Sequence, residues 1–146
     1  MRPHPLTMLV LTPKEAAALV FTGSRRDDLY RIEVAGRAVW LPCASMGIVV
    51  DLVIAGIQTE SGLIPCCKTA ICRLRQALDE QLGAGAGQRW IETGGGQEYR
   101  LAIPKSKIGE QVGVTACFFE LVGLRMVSEK DAETLRKTCR PCTLLE

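Results

Sequence analysis

The side chains best placed to do chemistry are cationic and hydroxylic, and they cluster. Lys68, Thr69, Arg73, Arg75 and Gln76 lie in one stretch, followed by Arg89, Thr93 and Arg100. A guanidinium can bond a guanine edge or neutralise a phosphate, so this set points to binding of a polyanion. Catalytic sets do not assemble. His4 is the sole histidine and sits in a proline-flanked terminus, so a serine or cysteine nucleophile would lack its usual base, and no paired carboxylates emerge. The expectation is a protein that is not an enzyme and carries no cofactor.

Two other patterns invite a chemical reading and fail it. Cys139-Arg140-Pro141-Cys142 has the spacing of half a zinc site, but a structural zinc needs four ligands and no second C-x-x-C exists; no metal is expected. Cys66, Cys67 and Cys72 could complete the set only if the C-terminus folded back onto them. Gly83-Ala84-Gly85-Ala86-Gly87 looks like a phosphate loop, yet it follows a helix and precedes a strand, the reverse of what aims helix N–H groups at phosphate. A flexible connector is the expectation.

The elements that must position the cationic set can be read from spacing. Cys67, Ile71, Leu74, Leu78 and Leu82 form one apolar stripe over residues 66–82, so this segment is an amphipathic helix. Lys68, Thr69, Cys72, Arg73, Arg75 and Gln76 fall on its other faces. Segments 89–93 and 97–103 read as a ribbon around Gly94-Gly95-Gly96. Upstream, segments 30–34 and 37–41 form a ribbon around Ala35-Gly36, in which Ile32 faces Val39 and Tyr30 faces Leu41. Residues 44–58, with Asp51 their only charge, read as a buried helix. Leu63-Ile64-Pro65 is extended because proline excludes helical geometry from the residue before it.

The ends are read more coarsely. Thr12-Pro13-Lys14-Glu15 starts a short helix to about Phe21, and Gly23 with Arg25, Arg26, Asp27 and Asp28 forms a solvated connection. After Pro104, Ile108, Val112, Thr115, Phe119 and Val122 mark a helical face. Ser128-Glu129-Lys130-Asp131 opens a helix to about Cys139, closed by Pro141. Three parts result: an N-terminal helix and linker over 1–29, a central domain over 30–103, and a C-terminal helical extension over 104–146.

Composition sets the frame. The 146 residues are 47% hydrophobic and 23% charged with a net charge of +2, which fits one folded α+β domain and excludes two large ones. No apolar stretch approaches the ~20 residues of a membrane crossing. No secretory signal is visible and seven cysteines are irregularly spaced, so reduced thiols in the cytoplasm are the expectation. The global charge forces no polyanionic partner, but between Gly62 and Lys107 seven lysines and arginines face four acids.

Ribbon, buried helix, basic helix and glycine-tipped ribbon follow in the order of a winged helix-turn-helix. Cys67-Lys68-Thr69-Ala70-Ile71-Cys72-Arg73-Leu74-Arg75-Gln76-Ala77-Leu78, followed by Ile91-Glu92-Thr93-Gly94-Gly95-Gly96-Gln97-Glu98-Tyr99-Arg100-Leu101, resembles the recognition helix and wing of OmpR/PhoB-type response-regulator effector domains. That family shows an Ile-x-Arg-Leu-Arg-x-x-Leu helix and a Thr-x-x-Gly-x-x-Tyr-Arg wing, and the resemblance covers residues 30–103. It implies a winged helix that regulates transcription by reading double-stranded DNA, with Thr69, Arg73 and Arg75 facing DNA and Thr93 bonding phosphate. Lys68, Gln76, Arg89 and Arg100 join them as candidate contacts.

The chain departs from that pattern in several places. The family has another helix before the recognition helix, where here only residues 59–65 intervene. Its wing-tip arginine falls at Gly95, and its Leu-Thr-Pro-x-Glu element lies before the first ribbon instead of after it. No receiver domain fits in the first thirty residues. The alternative reading is therefore a degenerate winged helix serving as a protein-interaction or oligomerisation module without DNA binding. A homodimer through residues 104–146 belongs to that reading.

Overall fold

The register demanded by the apolar residues of the first ribbon is the one adopted. In the computed structural model, which describes residues 17–124 and 127–142, strands β2 (Leu29–Val34) and β3 (Arg37–Pro42) pair with Ile32 opposite Val39 and Tyr30 opposite Leu41. All four are buried. Ala35 and Gly36 both have positive φ, 51° and 80°, the arrangement whose twist matches antiparallel strands. The helix start expected at residues 12–15, and His4, lie outside the described residues.

The short helix expected to reach Phe21 is not what Leu19 and Phe21 form. They belong to a strand, β1 (Leu19–Arg26), paired antiparallel with β2 and parallel with a strand from far along the chain. A long-range partner decides this segment, because Phe21 and Leu19 gain full burial on the inner face of a sheet. Of the charged run beyond Gly23, Arg25 and Arg26 continue the strand after an irregularity between Phe21 and Arg25, while Asp27 and Asp28 form the exposed turn to β2, the solvated connection expected there. Thr22 manages that irregularity: its hydroxyl donates to the Arg31 carbonyl at 2.8 Å and accepts from the Ser24 N–H at 3.2 Å.

Helix α1 (Cys43–Gln58) is buried on nearly every side, as its sequence requires. Strands β2 and β3, a second helix, the second ribbon and the C-terminal helices all pack on it. Gly56 permits part of this, since a side chain there would collide with Ile108. Strand β4 (Ile64–Pro65) then leads into α2 (Lys68–Leu82).

The connector after α2 is tighter than its glycines suggest. Ala86–Trp90 forms one helical turn, α3, so the strand expected from residue 89 begins only at β5 (Ile91–Thr93), which pairs with β6 (Glu98–Leu101). Gly87 sits against the backbone of Arg75, where a Cβ would lie 2.5 Å from the carbonyl oxygen, and its N–H donates to Asp79 Oδ1 at 2.7 Å. Close contact, not flexibility, explains that glycine.

The C-terminal part is mixed, not helical throughout. A helical turn, α4 (Ile108–Gln111), gives way to strand β7 (Val112–Thr115), a 3-10 segment (Ala116–Leu124), helix α5 (Glu129–Thr138) and strand β8 (Arg140–Cys142). The helical face expected through Val112, Thr115 and Phe119 fails because β-branched Val112, Val114 and Thr115 are all buried as a strand between β1 and β8, the surrounding those shapes fit best. Helix α5 does start at the expected cap, where Ser128 Oγ accepts from the Asp131 N–H at 3.1 Å. The main sheet runs β3-β2-β1-β7-β8 and the small one β4-β6-β5, so residues 104–142 complete a sheet begun by residues 19–42. The fold is mixed α+β with two sheets. No helix among the described residues is long and apolar enough to cross a membrane.

Candidate nucleic-acid interface

Helix α2 is held at three points. Near its start, Ile64 and Pro65 pair with Tyr99 and Glu98, and the Cys66 N–H extends that ladder to the Gln97 carbonyl at 3.1 Å. The first turn therefore lies beside the β5–β6 hairpin. At its end, Arg37 donates to the carbonyls of Leu82 and Gln81 at 3.0 and 3.1 Å, and the Gln81 carboxamide bonds the Trp40 backbone. Along its length Ile71, Leu74 and Leu78, the middle of the expected stripe, are buried, while Leu82 at its end is half-buried and Cys67 before its first turn is exposed.

The third point is Arg75. Instead of projecting outward it turns onto the hairpin, where its guanidinium donates to the Ile91 carbonyl and to Thr93 Oγ1 at 2.9 Å and lies over the Tyr99 ring, 5.5 Å from its centroid. Its Nε is buried with no hydrogen-bond partner among the described residues. Arg75 and Thr93 thus meet each other, and the geometry makes Arg75 the clamp between helix and hairpin.

The other candidate residues divide. Lys68, Thr69 and Arg73 are exposed on the free side of α2, and neither Lys68 nor Arg73 has a carboxylate partner among the described residues. Gln76 is exposed but bonds Glu80 at 3.2 Å. Arg89 is exposed on α3 and reaches the Ala84 carbonyl at 3.4 Å. Arg100 is paired with Glu92 at 2.9 Å. The hairpin tip, Gly94 to Gly96, carries no base, and nothing lies within 4 Å of a Cβ built at Gly95 or Gly96.

The described residues of the C-terminal part pack away from this face. Its strands extend the main sheet beyond β1, and α5 packs on α1. Cys139 caps the end of α5 and Cys142 ends β8, and burial pushes the Cys139 thiol up to about 12, which makes it a poor ligand or nucleophile. Among the described residues no group of three or more histidines, cysteines and acids is arranged to hold a metal ion.

Sequence reasoning placed Cys67 in the apolar stripe, whereas it lies on this exposed face. It is the N-cap of α2 and exposed, and the N–H groups of Ala70 and Thr69, with Arg73 nearby, hold its thiol below the ordinary range. It also missed Gln81 and Arg37, whose roles depend on the β3 edge lying against the end of α2. Only the place of Cys67 at the start of the helical segment was there to find.

No protein-family model, curated protein or solved structure matches this chain.

Proposed function

We propose that this protein binds double-stranded DNA as a degenerate winged helix of the OmpR/PhoB kind, acting as a transcriptional regulator and not as an enzyme. The observation that carries the reading is the free cationic side of α2: Lys68, Thr69 and Arg73 are exposed beside the β5–β6 hairpin, with residues 104–142 packed elsewhere. In this reading α2 enters the major groove, Arg73 contacts base edges or phosphate, and Lys68 and Thr69 contact phosphate. Arg75 and Thr93 set the angle of the wing, a positioning role. The strand order β4-β6-β5 supports the reading, because it pairs the strand before the helix with the second strand of the wing, β6, which lies in the middle of the small sheet.

Fluorescence anisotropy of a labelled duplex across a salt series tests it. Affinity should fall steeply with salt, and Lys68→Ala with Arg73→Ala should flatten the log–log slope by about 2. Salt-insensitive binding, or a double variant that binds like the parent, overturns the proposal.

One observation favours a second reading, a module that binds protein. The hairpin presents Glu92 and Glu98, and its one base, Arg100, is engaged by Glu92, so the wing offers no free cation to a phosphate backbone. A homodimer through residues 104–146 draws less support: Ile108, Val112, Val114, Phe118, Val127, Ala132 and Leu135 are buried within the chain itself, and Phe119 lies under Arg136, 4.3 Å from guanidinium carbon to ring centroid. Light scattering on the full chain checks self-association. A chain cut at Pro104 would lose β7 from the side of β1 and could not serve as a control.

A further inference from the structure

We draw no further inference here: the strongest candidate, the neighbouring thiols of half-buried Cys66 and exposed Cys67 at the start of α2, rests on a helix N-terminus and one accessible cysteine, and nothing among the described residues shows what would engage it.

Discussion

Gln81 completes the exposed edge of β3 by imitating a strand: its Oε1 accepts the Trp40 N–H at 2.8 Å, and its Nε2 donates to the Trp40 carbonyl at 2.9 Å. One side chain thus satisfies both backbone groups of an edge residue and fixes the end of α2 to the main sheet. Gln81→Ala removes two hydrogen bonds and should lower stability by about 1 to 2 kcal/mol. Gln81→Glu keeps an acceptor but loses the donor and should fall between. Urea unfolding curves of the three proteins check the order.

Arg75 binds the helix to the hairpin, so its removal should loosen the hairpin more than the core. Arg75→Ala is expected to lower stability by about 1.5 to 3 kcal/mol, the range for bonds from a charged donor. Arg75→Lys, which lacks the planar fork, should recover only part of this. Amide exchange measured across residues 91–101 should accelerate more than exchange in α1. Equal acceleration in both would contradict the clamp.

Gly87 and Gly95 should respond differently to alanine. At Gly87 the added Cβ would lie 2.5 Å from the Arg75 carbonyl oxygen and 2.6 Å from its Cα, so α3 must shift away from α2 at about 1 to 3 kcal/mol. At Gly95 nothing lies within 4 Å and φ is not positive, so thermal unfolding of Gly95→Ala should match the parent.

Asp51 lies on α1 facing α5, where burial first and the nearby Asp131 second push its carboxyl above the ordinary 3.8. A raised folded-state pKa means the folded chain holds that proton more tightly than the unfolded chain. The stability it contributes is therefore present below 3.8 and is lost as pH rises through the raised value. Asp51→Asn should be more stable than the parent at neutral pH, with the difference vanishing in acid. Denaturation midpoints at both pH values check the sign; a variant less stable at neutral pH would refute it.

The same contrast between local and distant causes separates what was legible in the chain from what was not. Helices α1, α2 and α5 follow from patterns within ten or twenty residues: an apolar run, a stripe through Ile71, Leu74 and Leu78, and the cap at Ser128. The Ile32–Val39 and Tyr30–Leu41 pairs follow from a two-residue turn. Each rests on contacts close in sequence, which periodicity records directly. Of the candidate contact residues, Lys68, Thr69 and Arg73 stand exposed on α2, as the opposite side of that stripe requires.

What the tertiary structure alone decided rests on partners far apart in the chain. Leu19 and Phe21 become a strand because Val112 and Val114 lie beside them, and no pattern near residue 20 announces a neighbour more than ninety residues on. For the same reason the segment after Pro104 completes a sheet instead of forming a helical face. The outward charge of Arg75 was legible and its destination was not, since the Ile91 carbonyl and Thr93 hydroxyl reach it only after the hairpin folds back along α2. Sequence fixes which side chains a local element presents; long-range packing determines which of them remain free to meet another molecule.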